Sequence, residues 1–340
     1  MEKRAHVPLQ QRIAVTGGTG FLGRALIRAL VSDGKTVVAL ARSPAKLREL
    51  QEEFGPETLL VVEGDLNDQR AIDDIIDGAD AVVHCAALTH ARTKRAFTEA
   101  NVEGSANVGR AAFNRGALLV AISSIAARQP QLSDYASSKR AGELAIVAAA
   151  EAHDGRVSSS TRKGSHPAQW TILRAPALYG PGDDASLSLF KAARLGLVPA
   201  PRVSPDPRAS ILYISDMVAA ILETLETGPR GTILDVNDET EAGRTWPEIT
   251  IELGKALDKR LVSLKLPKQF LLAHAAGVEA LCRLQGKAAF VSRGKIREFF
   301  HDDWVAADPS LRSTTAWRPQ TALAEGFAKT VAWHQKQGNL

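Results

Sequence analysis

The chain has 340 residues, of which 45% are hydrophobic and 24% charged, and its formal net charge is +4. These proportions predict a folded globular chain with one large domain or two closely associated ones, and they exclude a wholly disordered chain. The positive charges are scattered and form no basic stripe, so nothing in the sequence predicts nucleic-acid binding.

Two cysteines, Cys85 and Cys282, are present, and neither belongs to a CxxC pair. Nothing therefore indicates a disulfide framework or a zinc site, and we predict no bound metal. The first twelve residues lack the apolar core of a secretory signal peptide, and no run reaches the ~18 apolar residues of a transmembrane helix. We expect a cytoplasmic protein with no membrane span.

Short apolar runs alternate with helical segments through the first half of the chain. The predicted strands are residues 12–16, 35–41, 59–63, 81–85, 117–123 and 170–174. Continuous apolar runs indicate strands that are covered on both faces, and their alternation with helices is typical of a parallel, doubly wound sheet. The predicted fold class is therefore α/β of the Rossmann type.

The second half has a different pattern. Residues 154–166 are polar and rich in Gly and Ser, which predicts a surface loop. Residues 211–214 and 232–236 read as two further strands, which could rejoin the main sheet. From residue 267 the pattern is mainly helical, and the apolar segment 270–284 is interpreted as a core-facing or substrate-facing helix.

A glycine-rich turn follows the first predicted strand and precedes a helix. Residues 16–23 read TGGTGFLG and contain Gly18-x-Gly20-x-x-Gly23. Glycines at this spacing allow a tight turn and close approach of the backbone to a pyrophosphate, which then lies at the helix N-terminus. The alternative is a turn with no ligand, but the strand–turn–helix context favours a dinucleotide site. The residues predicted to form it are Gly17, Gly20, Phe21, Leu22 and Gly23.

The end of the second strand indicates which dinucleotide is preferred. An NAD site usually has an acidic residue there, but this chain has Ala41 followed by Arg42. A guanidinium can pair with the 2′-phosphate of NADP(H), although Arg42 could also be a surface residue with no ligand. We predict NADP(H) as the preferred cofactor, with NAD(H) as an option. The predicted organisation is a dinucleotide-binding domain at 1–175 and a smaller, mainly helical substrate-binding region at 176–340.

Tyr135 and Lys139 are candidates for the catalytic pair. They are four residues apart in a segment that reads as the start of a helix, so they share one helix face. A nearby ammonium favours the phenolate and so lowers the pKa of a tyrosine. Ser123 and Ser124 end the preceding strand, at the edge of the sheet where ligands bind in this fold class.

These segments together resemble the short-chain dehydrogenase/reductase superfamily, and later ones resemble its extended, epimerase/dehydratase-like branch. The matching segments are TGGTGFLG, Tyr135-x-x-x-Lys139, GDL at 64–66, VHCAA at 83–87, NVEG at 101–104, LRAPALYGPG at 173–182, ILYISDMVAAIL at 211–222 and the C-terminal residues 326–340. The resemblance covers nearly the whole chain.

The resemblance implies a role for each matching catalytic position. Tyr135 would be the general acid/base at the substrate oxygen. Lys139 would bind the nicotinamide ribose and lower the pKa of Tyr135. Ser124 would orient the substrate oxygen, and Asn101 would brace the central helix, through a water in a proton relay if one is present. A helix-capping role for Asn101 remains an equal alternative.

The resemblance also implies the remaining contacts to the cofactor. Asp65 and Leu66 would flank the adenine, with a purely structural turn as the alternative for Asp65. Ala86 and Ala87 would line the cofactor groove. Tyr179 is expected to reach the substrate cleft. His84 and His90 have no neighbouring cluster of metal ligands and are interpreted as structural.

Two departures from the family pattern bear on the substrate. Only eleven positions separate Ser124 from Tyr135, and Ala126-Ala127 replaces the usual Tyr-Gly after the serines. Both changes remove part of the wall that sugar-nucleotide enzymes of this branch build. The second departure is the polar segment 154–166. It is longer than the family norm, and the sequence suggests no function for it.

Three functions compete. The leading hypothesis is an NADP(H)-dependent oxidoreductase that interconverts a ketone and a secondary alcohol by hydride transfer, with a bulky, apolar small-molecule substrate. The first alternative is a nucleotide-sugar epimerase or dehydratase with tightly bound NAD. The second is a non-catalytic, dinucleotide-sensing scaffold, which retention of both Tyr135 and Lys139 disfavours. The resemblance is also compatible with a homodimer.

Overall fold

The computed structural model of the protein describes residues 12–159 and 166–340. Its strands are β1 (Arg12–Thr16), β2 (Thr36–Ala41), β3 (Leu59–Glu63), β4 (Ala81–His84), β5 (Leu118–Ser124), β6 (Trp170–Ala175), β7 (Ala177–Tyr179), β8 (Leu197–Pro201), β9 (Arg208–Ala209), β10 (Ile211–Tyr213), β11 (Thr232–Asp235), β12 (Arg244–Thr245), β13 (Val262–Leu266) and β14 (Asp303–Trp304). Its helices are α1 (Phe21–Ser32), α2 (Pro44–Phe54), α3 (Gln69–Ile76), α4 (Lys94–Thr98), α5 (Gly104–Asn114), α6 (Asp134–Ser158), α7 (Asp184–Arg194), α8 (Ile214–Glu226), α9 (Trp246–Leu257), α10 (Lys268–Leu284), α11 (Arg293–Phe299), α12 (Leu311–Thr314) and α13 (Leu323–Lys336). A π-helical segment, Glu99–Glu103, and a 3₁₀ turn, Ile125–Arg128, join neighbouring elements.

The main sheet has seven parallel strands in the order β11-β6-β5-β4-β1-β2-β3. This confirms the predicted Rossmann-type α/β fold. The predicted strand at 232–236 joins the sheet as β11. The predicted strand at 211–214 does not: Ile211–Tyr213 pairs with β7 in a separate two-stranded sheet, because β11 already occupies the free edge of β6. The division into domains at residues 175 and 176 stays a prediction.

Each face of the sheet is covered by its own apolar cluster. In β1, Ile13 and Val15 pack among residues of α1, α2 and α8, while Ala14 packs among residues of α3, α5 and α6. Burial on both faces explains why the strand sequences are continuously apolar rather than alternating. The edge strand β3 is less covered, and Leu60 is 39% exposed.

The strand order reverses between β1 and β4, and this reversal creates the ligand crevice. The chain leaves β1 towards β2 on one side, whereas β4 and β5 extend the sheet on the other. The loops after β1 and β4 therefore diverge at the carboxyl edge of the sheet, which is where open α/β sheets bind ligands.

The C-terminal part of the chain contributes a third apolar cluster. Tyr179, Phe190 and Phe327 form its aromatic centre, and Phe21 and Leu22 of α1 pack against it. The start of the glycine-loop helix is therefore held by the C-terminal helices as well as by the sheet.

The predicted loop at 154–166 is wrong for its first five residues, since α6 continues to Ser158. The end of the helix is tied to the following chain, because Asp154 Oδ1 accepts a hydrogen bond of 2.7 Å from the backbone nitrogen of Ala168. These local bonds outweigh the low helix propensity of glycine and serine. Residues 160–165 of the predicted loop lie outside the described residues.

Candidate active site

A cavity of about 360 Å³ lies at the reversal of strand order, between the loops that follow β1 and β4. We call it the dinucleotide groove. Its lining residues are Gly17, Thr19, Gly20, Leu40, Ala41, Arg42, Asp65, Leu66, Asn67, Cys85, Ala86, Ala87, Leu88, Ala96, Glu99 and Ala100. Seven predicted cofactor residues are brought together there, from four separate segments of the chain: Gly17, Gly20, Arg42, Asp65, Leu66, Ala86 and Ala87.

The glycines of the turn are required by close backbone packing. Gly17 has a φ of +75°, and a Cβ at this position would lie 2.6 Å from the backbone nitrogen of Ala86. A Cβ at Gly23 would collide with the carbonyl of Gly17. Any side chain at either position would push apart the loops that form the groove, so the motif leaves bare backbone along its wall.

The N-terminus of α1 is left without a side-chain cap. Gly20 occupies the N-cap position, offers no side-chain hydrogen bond, and is followed by no acidic residue in the first turn. The first backbone N–H groups of a helix lack partners within it, and together with the helix dipole they favour an anion. The groove therefore fits a pyrophosphate. Phe21 and Leu22 contribute only backbone N–H groups here, because their side chains pack into apolar clusters.

Arg42 stands exposed on the wall of the dinucleotide groove, immediately after β2. Within residues 12–159 and 166–340 its guanidinium has no ion pair and no hydrogen bond. Asp65 also lines the groove, and its Oδ1 accepts a 2.8 Å hydrogen bond from the backbone nitrogen of Asn67. Asp65 thus has the turn-stabilising role that the sequence left open, together with a position in the groove.

Tyr135 lies on the wall of a second cavity, of about 670 Å³, which we call the large cavity. It is formed by the segment after β4, the start of α6, and the segment from α10 to α11. The hydroxyl of Ser124 is close enough to the Tyr135 phenol to lower its pKa. Burial raises the pKa of Tyr135 overall, and Lys295 and Ser124 only partly oppose this rise.

Lys295 is a site residue that the sequence did not indicate. Its Nζ lies 4.6 Å from the centre of the Tyr135 ring and 2.9 Å from Glu298 Oε2. Burial alone would lower the pKa of Lys295, but the charges of Glu298 and Tyr135 raise it overall. Lys295 belongs to α11, far along the chain from Tyr135, so no local spacing could have linked the two.

Lys139 is anchored to the central sheet, and its expected contact with the cofactor ribose stays a prediction. It is buried, and its Nζ donates a 2.8 Å hydrogen bond to the carbonyl oxygen of Ile122 in β5. Burial lowers the pKa of Lys139 to about 8, although Glu143 raises it in part. The charges that act on the Tyr135 pKa are instead those of Lys295 and Glu298. In this arrangement the Tyr135 pKa is therefore raised, whereas the resemblance implied that Lys139 lowers it.

Asn101 braces the site from the π-helical segment. Its side chain is 2% exposed. Oδ1 accepts a 2.7 Å hydrogen bond from the backbone nitrogen of Leu88, and Nδ2 donates to the carbonyl of Leu88 and to Ser138 Oγ, both at 2.9 Å. Asn101 thus ties the loop after β4 to the helix that carries Tyr135. These are direct bonds with no water between, and a part for Asn101 in catalysis stays a prediction.

A buried ion-pair network lies behind the candidate catalytic residues, and the sequence did not reveal it. Glu143 accepts hydrogen bonds from Ser123 at 2.6 Å and from Arg174 at 2.6 and 2.7 Å. Asp235 pairs with Arg128 at 2.9 Å and lies 3.8 Å from Arg174. The network joins α6, β5, β6 and β11, so it fixes the helix of Tyr135 and Lys139 against the sheet.

Cationic side chains from two sides surround the large cavity. Arg92 and Lys94 come from the segment after β4, and Arg283, Lys287 and Arg297 come from α10, α11 and the residues between them. None of these five has an ion pair among the residues that the structure describes. Across the cavity, His90 packs edge-on against Phe290 at 5.9 Å between ring centres. The wall is therefore polar and positively charged, with apolar rings between the cations.

Tyr179 lines neither cavity. It is 4% exposed, and its ring packs against Tyr213 and Phe327 in the C-terminal apolar cluster. The predicted contact between Tyr179 and the substrate is therefore a core contact instead. The C-terminal helix α13 covers Tyr179, because Phe327 packs against its ring and Gly326 lies against its hydroxyl.

His84 is structural, as predicted. It is buried, with Nδ1 2.7 Å from Thr16 Oγ1 and Nε2 3.0 Å from Ser105 Oγ. Burial, together with the charge of Lys139, lowers its pKa to about 3. No group of three or more potential metal ligands occurs within the described residues. Among the same residues no helix has both the length and the apolar character to cross a bilayer.

Comparisons with known proteins agree with this geometry. The model of the NAD dependent epimerase/dehydratase family matches residues 13–237. A ceramide reductase from Caulobacter vibrioides is 34% identical over 332 residues, covering 96% of each chain. A UDP-glucose 4-epimerase from Vibrio cholerae is 25% identical over 352 residues, covering 95% of each. The solved UDP-glucose 4-epimerase of Thermotoga maritima has a TM-score of 0.69 at 17% identity, covering 96% of this chain and 99% of its own.

The extent of these matches excludes a similarity confined to the glycine loop, because they run from the first strand into the C-terminal part of the chain. The groove supplies what a dinucleotide needs, and the expected catalytic residue types are retained. The chain belongs to the NAD dependent epimerase/dehydratase family, and it is an NAD(P)-dependent oxidoreductase of the extended short-chain dehydrogenase/reductase type.

Proposed function

We propose that this enzyme is an NADP(H)-dependent ketoreductase that interconverts a ketone and a secondary alcohol on a ceramide-like lipid. The observation that carries the proposal is that Tyr135, with Ser124 beside it, lines the large cavity next to the dinucleotide groove. The likeness to a ceramide reductase over nearly the full length of both chains supports the substrate class.

The proposed mechanism assigns a role to each polar group at the substrate. NADPH held in the dinucleotide groove would supply the hydride that the carbonyl carbon needs, and the proton for the carbonyl oxygen comes from the protein. Ser124 holds the substrate oxygen by a hydrogen bond, and Tyr135 gives its phenolic proton to that oxygen. Because burial raises the pKa of Tyr135, the phenol is protonated at neutral pH, which suits a proton donor in the direction of reduction. Lys139, whose position on α6 is fixed by Glu143 and Ile122, holds the cofactor ribose.

Tyr135→Phe tests the catalytic assignment. We expect a loss of about 10²–10⁴ in kcat, the usual contribution of general acid catalysis, with little change in cofactor affinity. Tyr213→Phe is the matched control, because Tyr213 is a mostly buried tyrosine outside both cavities. A Tyr135→Phe enzyme with the activity of the control would overturn the mechanism. A physiological function that survives Tyr135→Phe would favour the non-catalytic scaffold.

NADP(H) preference is proposed because Arg42, in the groove, has no ion-pair partner among the described residues, and no acidic residue comes directly after β2. A charge-assisted bond to the 2′-phosphate contributes about 1.5–3 kcal/mol, so Arg42→Ala is expected to weaken NADPH binding about 10- to 100-fold and NADH binding little. Arg48→Ala, an exposed arginine on α2 outside the groove, is the control. Equal affinity of the wild type for NADPH and NADH would refute the preference.

A nucleotide-sugar epimerase that retains NAD is the second candidate. It is favoured by the relative from Vibrio cholerae, which bears that activity in its name and matches 95% of this chain. The two candidates differ in what the purified protein carries. Stoichiometric NAD that survives purification would favour the epimerase, whereas reversible exchange of NADP(H) and consumption of NADPH with a 3-keto ceramide would favour the reductase. A cytoplasmic location and a homodimer remain predictions.

A further inference from the structure

The large cavity holds an excess of positive charge. Among the described residues that line it, seven are Lys or Arg and three are Asp or Glu. The whole chain has 42 Lys and Arg and 38 Asp and Glu, which leaves 35 of each outside this set. The cations are scattered along the sequence, but folding collects their excess around one cavity.

The carboxylates of this cavity are already engaged. Glu279 accepts two hydrogen bonds of 2.8 Å from Arg293, one from its backbone nitrogen and one from Nε. Glu298 accepts a hydrogen bond of 2.9 Å from Lys295. Asp134 lies in the first turn of α6, where the helix dipole favours a negative charge. The other five cations of the cavity have no anionic partner within the described chain: Arg92, Lys94, Arg283, Lys287 and Arg297.

Helix α10 carries part of this charge. Its residue Ala275 packs with Ile296 in an apolar cluster, whereas Arg283 lines the large cavity. On a further side of the helix, Leu284 is 86% exposed. The segment 270–284, which the sequence predicted to face the core or the substrate, thus packs on the core along one side and lines the cavity along another.

The unpaired cations belong to elements that contact Tyr135. Phe97 of α4 packs against Tyr135 at 6.4 Å between ring centres, and Lys94 lies one turn before Phe97 on the same side of the helix. Lys295 of α11 lies 4.6 Å from the centre of the Tyr135 ring, and Arg297 follows it two residues later. A ligand that reaches Tyr135 therefore lies in the same cavity as the unpaired cations.

The cofactor does not account for this charge. Among the described residues, the wall of the dinucleotide groove has one cation, Arg42, and two carboxylates, Asp65 and Glu99. None of the five unpaired cations lines that groove. Cations of one sign around a concave wall concentrate the electric field and attract an anion. The large cavity therefore points to a second anion, one that the substrate carries.

The number and type of these cations indicate a phosphate ester. Three of the five are arginines, whose planar guanidinium groups pair with two oxygens of a phosphate. A phosphate monoester has a charge of about −2 and three acceptor oxygens, so it can use cations on both sides of the cavity, whereas a carboxylate needs one such partner. In a ceramide-like lipid the head group is attached two carbons from the keto carbon, so one cavity of about 670 Å³ can hold both groups.

We propose that the substrate is the phosphate ester of a keto ceramide, and that the five unpaired cations of the large cavity bind its phosphate while the ketone faces Tyr135. The proposal rests on the proposed reductase activity for the lipid and adds a charged head group to it. Binding of the phosphate is measured without cofactor or turnover, so a failure of either proposal can be recognised separately.

The test uses two soluble lipids that differ only in the phosphate, N-hexanoyl ceramide and N-hexanoyl ceramide 1-phosphate. Calorimetry without cofactor should show binding of the phosphate ester at least about tenfold tighter, and this preference should weaken with added salt. Formation of NADPH from NADP⁺ should show the same preference, through a lower KM. Equal affinities for the two lipids would overturn the proposal, whereas oxidation of neither lipid would refute the reductase.

Double variants on the two sides of the cavity locate the phosphate. Arg92→Gln/Lys94→Gln and Arg283→Gln/Lys287→Gln should each raise the Kd for N-hexanoyl ceramide 1-phosphate at least about tenfold, because each removes two charged hydrogen-bond donors. The Kd for the neutral ceramide and the Kd for NADPH should not change. Variants that weaken NADPH binding and spare the phosphate ester would overturn the proposal.

The matched control is Arg260→Gln/Lys336→Gln. Both residues are exposed, have no ion pair in the described part of the chain and line neither the dinucleotide groove nor the large cavity. This variant should bind the phosphate ester like the wild type, and circular dichroism confirms that all variants are folded. An equal loss in the control would contradict the assignment. UDP-glucose that binds through the same cations, with no binding of the ceramide phosphate, would also overturn it.

Discussion

Replacing Glu143 with glutamine removes a buried negative charge and leaves the shape of the side chain almost unchanged. The side chain of Glu143 is 1% exposed and accepts hydrogen bonds of 2.6 and 2.7 Å from Arg174. Arg174 would then keep its charge, and Asp235, at 3.8 Å, would be its one remaining anionic partner among the described residues. Breaking a buried ion pair costs about 3–5 kcal/mol, and because the amide retains one acceptor we expect a loss near the lower limit, about 3 kcal/mol.

Equilibrium unfolding in urea, followed by far-UV circular dichroism, measures this loss. Glu325→Gln is the control: Glu325 pairs with Lys329 on the surface, with 54% of its side chain exposed. An exposed pair of this kind contributes less than about 0.5 kcal/mol. The slope against urea should be the same for both variants, since neither changes the surface buried in the folded state.

Glu143→Gln should also alter the site. The charge of Glu143 raises the pKa of Lys139 against the effect of burial, and the net pKa is about 8. Without that charge the pKa of Lys139 falls further, so the ammonium loses its proton at lower pH. NMR titration of lysine labelled with ¹³C at Cε follows this step directly. A stability loss equal to that of Glu325→Gln, or an unmoved Lys139 titration, would refute the role assigned to the network.

Three further predictions follow from the described contacts. Lys295→Met should raise the pKa of Tyr135 further, because the cation 4.6 Å from its ring is lost. Tyrosinate absorbance measures this pKa, with the Tyr135→Phe variant as the baseline. An unchanged titration midpoint would contradict the prediction. Burial holds the pKa of His84 at about 3 against 6.5 in the unfolded chain, so only the unfolded state gains the proton as the pH falls below 6.5. The free energy of unfolding should fall by up to about 1.4 kcal/mol per pH unit, and His84→Gln should flatten this slope between pH 6.5 and 5. Gly17→Ala should destabilise the fold more than Gly34→Ala, since both have positive φ but only Gly17 lacks space for a Cβ; equal losses in urea unfolding would show that the groove can relax.

The family and the central sheet could be read from the sequence because both depend on local patterns. Strands covered on two faces are continuously apolar. Gly17 approaches the loop after β4 so closely that only a glycine, which has no Cβ, fits at this position. Strand, turn and helix follow one another within a few residues, so the dinucleotide groove could be predicted from neighbouring positions. Arg42 and Asp65 follow the same rule, since Arg42 directly follows β2 and Asp65 comes two residues after the end of β3, at the carboxyl edge of the sheet.

Tertiary structure decided which groups act on one another across the chain. The cation beside Tyr135 is Lys295, brought from α11 by packing of the C-terminal segment, whereas Lys139 is held by the carbonyl of Ile122. Tyr179 entered the core because α13 covers it. The sequence also could not predict that one side of α10 is exposed. An apolar helical pattern does not show whether one face of the helix or both faces are buried. Pairing between distant segments depends on three-dimensional packing, and no sequence periodicity records it.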